Sequence, residues 1–179
     1  MRFDHTVEFP ASPTEVARML ADRDFTDRRV RAAGATRHTA SITESDDGSF
    51  LLDVEATIPT TIIPATYRGL VGDSFVVRIE EQWSAPGADG GRTAEFGLNV
   101  SGVPARVNGT QALRPIAGGA TALDYRGDVT CSIPLLGRKI ESAVVGAVDT
   151  VLEAERRVGL AYLAEQEGGQ GGLGADDQA

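Results

Sequence analysis

Alternating apolar and polar side chains mark the start of the chain and most of the stretch from 37 to 131. In RFDHTVEF, Phe3, His5, Val7 and Phe9 share one face while Asp4, Thr6 and Glu8 take the other, the period of a half-buried strand. SPTE follows, with Ser12 placed to cap a helix, Pro13 in its first position and Glu15 completing a capping box; Val16, Met19 and Leu20 supply a short buried face. A second short helix is expected from about Asp24 to Ala33, ending at Gly34. Beyond it, strand periods recur between turn signals. Phe50, Leu52, Val54, Ala56 and Ile58 alternate after Asp46-Asp47-Gly48, and Phe75, Val77, Ile79, Glu81 and Trp83 alternate after Gly72-Asp73. Ala94, Phe96, Leu98 and Val100 follow the hairpin loop 84–91; Val107 to Leu113 comes next, then Leu123, Tyr125, Val129 and Cys131 after Gly118-Gly119. Seven or eight consecutive strands make an antiparallel meander the economical topology.

The period then changes to that of a helix, expected from Pro134 to about Glu167. At 100° per residue, Leu136, Ile140, Ala143, Val144, Ala147, Val151, Ala154, Val158, Ala161 and Tyr162 fall in an arc of about 100°. Val145, Val148 and Leu152 widen the arc, and Lys139, Asp149, Glu153, Arg156 and Arg157 lie opposite. The inner side chains of the middle are short, which leaves either an open space against a facing sheet or a gap that Trp83, Phe50, Phe75, Phe96 and Tyr125 fill from the sheet side. The pattern gives one domain over 1–167, and the Gly-rich acidic segment 168–179 reads as a mobile tail because it has little to bury.

A strand, two short helices, a meander and a long last helix resemble the helix-grip arrangement of the START-related and birch-pollen-allergen superfamily, SRPBCC. The junction VTCSIPLLGRKIE, with EEQW at 80–83, resembles an actinobacterial family of uncharacterised members of that superfamily. The resemblance implies an α+β helix-grip fold with a curved antiparallel sheet and a cavity between sheet and last helix. It also implies an apolar occupant such as a lipid, polyketide or isoprenoid-like molecule. Some members of the superfamily are cyclases and others only carriers, so the fold does not choose between them.

Composition narrows the partners. A formal charge of −9 disfavours duplex nucleic acid and anionic surfaces. Cys131 is the only cysteine, which excludes an internal disulfide and a multi-cysteine zinc site. No run of about 18 apolar residues spans a bilayer, and the charged start MRFDHTVEF does not read as a secretion signal, so a cytoplasmic chain without integral membrane association is expected. Oligomeric state is not legible.

Catalytic constellations are absent: no GxGxxG after a strand, no HExxH, no CxxC, no GxSxG. No metal site and no cofactor is expected. Among titratable groups, His5 shares a face with Phe3, Val7 and Phe9. Glu81 shares one with Phe75, Val77, Ile79 and Trp83, where a carboxylate needs a partner, a proton or a ligand. An arginine such as Arg68 is one candidate partner. Tyr125, Tyr67 and Gln111 offer polar atoms to a ligand. His38 in RHTAS, and Arg23, Arg28, Arg29, Arg31 and Arg37 around the second helix, read as solvated, as does Glu155 at the edge of the helical arc.

The candidate cavity lining is therefore Phe50, Leu52, Val54, Phe75, Val77, Glu81, Trp83, Phe96, Gln111 and Tyr125 from the sheet, Tyr67 from a loop, and Val144, Ala147, Val148 and Val151 from the helix. Ile62 and Ile63, bracketed by prolines in PTTIIP, are a candidate gate. The leading expectation is a non-enzymatic binder or carrier of a small apolar ligand. The alternatives are a cyclase or dehydratase acting through His5, Glu81 and Tyr125, and a protein-interaction module.

Overall fold

The computed structural model describes residues 1–62, 68 and 72–170, with residues 62, 169 and 170 described in their backbone only. Among the described residues seven strands form one antiparallel sheet: β1 (Arg2–Phe9), β2 (Arg37–Glu44), β3 (Phe50–Pro59), β4 (Ser74–Trp83), β5 (Arg92–Val100), β6 (Ala105–Pro115) and β7 (Thr121–Cys131). Their spatial order is β1-β7-β6-β5-β4-β3-β2, a meander from β2 to β7 whose far edge is closed by β1. Among the described residues three helices longer than one turn accompany it: α1 (Pro13–Leu20), α2 (Arg23–Ala32) and α3 (Gly137–Gln170). This is the expected α+β helix-grip architecture.

Local chemistry sets the element ends. Ser12 and Glu15 form the capping box of α1, and Asp22 caps α2 by accepting from the Phe25 amide at 3.0 Å. The last helix starts at Gly137 rather than at Pro134, after a turn in which Leu135 takes a left-handed φ of 65°. A Cβ at Gly137 would sit 2.4 Å from the Cys131 carbonyl oxygen, so the chain leaves β7 as closely as a glycine allows. At its other end α3 continues to Gln170, three residues into the segment assigned to the tail; residues 171–179 lie outside the described ones.

Strand register builds two rows of inward side chains. One runs His5, Tyr125, Gln111, Ala94, Trp83, Phe50, and the next runs Phe3, Gly127, Gly109, Phe96, Glu81, Leu52. The two glycines let aromatic rings lie against the backbone: a Cβ on Gly127 would meet the Phe3 ring at 2.6 Å, and one on Gly109 the Phe96 ring at 2.7 Å. Two apolar clusters result. The larger joins β1, β6, β7 and the three helices through Phe9, Met19, Phe25, Leu123, Leu152 and Tyr162, with Trp83 stacked on Phe50 at 5.7 Å between ring centroids. The smaller lies under β2–β4, where Val30 of α2 covers Leu52, Val54, Ala56, Ile58 and Val77.

Candidate functional site

Between the two clusters lies a buried polar network that joins α2, β4, β7 and α3. Arg29 of α2 donates through Nη2 to Glu81 Oε1 at 2.8 Å and through Nη1 to Glu155 Oε1 at 3.4 Å. Trp83 Nε1 donates to the second oxygen of Glu81 at 3.0 Å, and Tyr125 Oη donates to Glu155 Oε1 at 2.8 Å. The side chains of Arg29 and Glu81 are 8% and 7% exposed, that of Glu155 12%. Burial opposes the charge on Arg29, but Glu81 and Glu155 outweigh it and hold the guanidinium's pKa above its ordinary value. Burial, reinforced by the charges of Glu155 and Glu81, pushes Tyr125 well above 10, so its phenol stays protonated and acts as a donor.

Gln111 stands beside Tyr125 in the register, 3% exposed, with Ala94 on its other side. Its Oε1 is buried and receives no hydrogen bond.

Several sequence expectations change here. Glu81 is paired as its surroundings require, but with Arg29 rather than Arg68. Arg29, read as solvated, is buried because it follows Phe25 by one helical turn on the face of α2 that meets the core. Glu155, read as reaching water, turns inward because Tyr125 and Arg29 both offer it donors. His5 does not join the network; its Nδ1 lies 2.9 Å from Asp149 on α3, and the ring is one-quarter exposed. His38 is not solvated either, since Asp27 of α2 meets its Nε2 at 2.9 Å and the side chain is 10% exposed. Tyr67 and Ile63 lie outside the described residues, as does the side chain of Ile62.

The phase of α3 also differs from the expected arc. Its packing partners are β1, β7, α1 and α2. The side toward β1 and β7 carries Glu141, Val148, Leu152, Glu155 and Gly159, and a Cβ on Gly159 would come within 2.5 Å of the Phe9 ring. The stripe expected to face the sheet lies about 100° round the helix from that side. In its second half Ala154 and Tyr162 are buried and α2 covers them, Phe25 meeting Tyr162 edge-on at 5.8 Å and Arg28 binding Glu165 at 2.9 Å. In its first half the same stripe is uncovered: Val144 is half-buried, Ala147 exposed and Val151 42% exposed. On the sheet side, Phe75, Ile79, Phe96, Leu98 and Val100 are likewise only half-buried. Val151 precedes Glu155 by one helical turn, so this apolar stripe leads into the polar network.

A family of proteins of unknown function, DUF2505, matches residues 4–163. The chain belongs to that family. No curated relative matches it by sequence. Among solved structures it is similar to the protein TTHA0849 from Thermus thermophilus (15% identity, TM-score 0.62, 90% of this chain and 99% of that one). It is similar also to the Zhui aromatase/cyclase from Streptomyces sp. R1128 (12%, 0.63, 93% and 94%) and to a START superfamily protein from Mycobacterium smegmatis (15%, 0.55, 88% and 96%). At these identities the likeness establishes the START-like helix-grip fold.

Two concavities of this DUF2505 chain open elsewhere on the sheet, the first of them bordered in part by Tyr125. One of about 840 Å³ opens on the outer face of β1, β7 and β6, where Arg2 pairs with Asp128 at 3.6 Å and Arg114 with Asp124 at 2.7 Å. The other, about 620 Å³, borders Arg31, Arg37 and His38 at the β2 edge. The charges of the first neutralise one another, which is the behaviour of a solvated face. Among the described residues no group of three or more His, Cys, Asp or Glu is placed to hold a metal ion, and no helix is long and apolar enough to cross a membrane.

Proposed function

We propose that this chain binds and carries a small hydrophobic molecule, lipid-, polyketide- or isoprenoid-like, without transforming it. The binding space lies between the concave faces of β4 and β5 and the first half of α3. One observation carries the reading: apolar side chains on both sides of that space remain partly exposed, although Ala154 and Tyr162 of the same helical stripe are buried in its second half. Isolated apolar residues on a surface need no explanation, but two facing sets at the mouth of a curved sheet do. The START-like fold supports the same reading.

Phe75 and Phe96 line the proposed space, with Val144, Ala147, Val148 and Val151 from α3; Glu81, Gln111 and Tyr125, each at most 6% exposed, lie beneath it as a polar floor that a head group reaches only by displacing the side chains above. Phe50, Leu52, Val54, Val77 and Trp83 stand behind that lining in the packed core, each at most 7% exposed. Extraction of the natively purified protein, followed by mass spectrometry and displacement of an environment-sensitive apolar dye, tests the proposal. Recovery of no small molecule together with no saturable dye binding overturns it.

A second reading, a cyclase or dehydratase acting on a polyketide-like substrate, is favoured by the meeting of Tyr125 and Glu81 on Arg29 and Glu155. Tyr125 would then give its proton to the departing hydroxyl, Glu155 would take the proton lost from the substrate carbon, and that proton would return to the phenolate across the 2.8 Å hydrogen bond between them. His5, engaged by Asp149, takes no part. Turnover of a reactive polyketone mimic that disappears in Tyr125→Phe, with apolar dye binding kept, would favour this reading over carriage.

A further inference from the structure

The polar network constrains the head group of the ligand, and this inference rests on the proposed binding function. Three observations bear on it. Both terminal nitrogens of Arg29 already serve carboxyl groups, one on Glu81 and one on Glu155. Tyr125 spends its proton on Glu155. Beside Tyr125, the Gln111 carbonyl oxygen is buried with no donor.

An anionic head entering here would place a third negative charge against a cation that two carboxyl groups share, in surroundings where Coulomb terms are little screened. A purely apolar end would leave the Gln111 amide unsatisfied, which costs on the order of a hydrogen bond's desolvation. A neutral hydroxyl resolves both problems. It donates to the Gln111 oxygen, and because it also accepts, it satisfies the amide whichever way the group is turned. We infer that the ligand is a neutral alcohol or phenol whose hydroxyl is received by Gln111 next to the Tyr125–Glu155 pair, and that the corresponding carboxylic acids are discriminated against.

The remainder of the site agrees. Ala94, directly across the register from Gln111, is the smallest inward side chain of its row. In the row beyond, the Phe96 ring lies close to Gly109, 2.7 Å from where a Cβ there would stand.

The test is isothermal titration of the full chain at neutral pH with matched pairs that differ only in the head: decan-1-ol against decanoate, and 2-naphthol against 2-naphthoate. The expected result is at least tenfold tighter binding of the hydroxyl member of whichever pair fits. In Gln111→Met, of nearly equal volume, that preference should shrink at least fivefold while thermal stability holds or rises, because an unsatisfied buried amide has been removed. A merely structural glutamine would instead lower stability and leave the preference alone. Equal or tighter binding of the acid overturns the inference and leaves the binding proposal standing. Binding of neither member of either pair, with no dye displacement, removes the binding proposal and this inference with it.

Discussion

Replacing Arg29 by methionine removes the cation that Glu81 and Glu155 share, and with it the guanidinium 5.7 Å over the Phe25 ring, while keeping a side chain that is unbranched and apolar. In the folded chain two buried carboxylates would then be left with one donor each, the Trp83 indole and the Tyr125 phenol. Breaking a buried ion pair by deleting one partner costs about 3–5 kcal/mol, because the remaining charge stays out of water. With both side chains of the 2.8 Å pair under one-tenth exposed, water offers little relief, while the 3.4 Å contact to Glu155 is the weaker one. The expected loss is therefore about 3–4 kcal/mol, the lower half of that range. For a chain of this length each kcal/mol moves the melting temperature by about 2–4 °C, so a fall of about 6–16 °C is expected.

Urea unfolding followed by circular dichroism, with the slope against denaturant unchanged, measures the loss. The variant carrying Arg29→Met, Glu81→Gln and Glu155→Gln together should regain most of the loss at pH 7, since no unpaired charge remains. A loss under about 1 kcal/mol for Arg29→Met, or a triple variant as unstable as the single one, would refute the buried-charge argument.

Three other outcomes follow from the same geometry. In an alkaline absorbance titration of the folded chain, no more than one of the three tyrosines should ionise near 10, because burial and acidic neighbours raise Tyr125 well above that value and Tyr162 to about 12. The two should appear only as the chain unfolds, and three ionisations near 10 before unfolding would contradict the burial of the network. Gly146→Ala should stabilise α3 by about 0.5–1 kcal/mol, as nothing lies within 4 Å of the added carbon, whereas Gly159→Ala should destabilise by about 1–3 kcal/mol through its clash with Phe9; equal effects would mean that the helix phase is wrong. Arg114 holds the Asp124 carboxyl below its usual range by hydrogen bonding, against partial burial and with help from Thr6. This contribution is present above the ordinary carboxylate pKa and is lost as pH falls through the depressed one, so Arg114→Ala should cost stability at pH 7 and nothing at pH 2, as acid unfolding curves will show.

The strands were legible because each buries one face and so carries a period of two through its whole length. Phe50 to Ile58 and Phe75 to Trp83 show this plainly, and the turn residues between them left little choice of register. The phase of α3 was not legible because the helix has two apolar faces. One is continuous and hydrophobic by composition, from Ile140 through Val151 to Tyr162. The other packs on β1 and β7, and is interrupted by Glu141, Glu155 and Gly159. A hydrophobicity pattern scores these three as polar or neutral, yet Glu141 accepts from the Cys131 amide, Glu155 from Tyr125, and Gly159 makes room for Phe9. The need for a partner at Glu81 could be read from its neighbours. Which of the many arginines answers it is decided by how α2 crosses the sheet, which no local pattern records.

The position of the network argues about its purpose. A chain selected only for stability gains nothing from it, since replacing a buried ion pair by apolar side chains of like volume is commonly neutral or favourable, and an amide such as Gln111 without a donor is a standing cost. The cost is concentrated at one level of the fold. Arg29, Glu81, Gln111, Tyr125 and Glu155 come from five different elements; four of them share one hydrogen-bonded network, and Gln111 stands beside Tyr125 in the register. Polar groups scattered through a core would be accidents of packing, each explained by its own neighbours. On the proposed reading, groups from five elements form the floor of the binding space, with donors and acceptors fixed by one another except at Gln111. Its oxygen, one of two buried side-chain polar atoms without a partner among the described residues, is then the one that an entering head group meets.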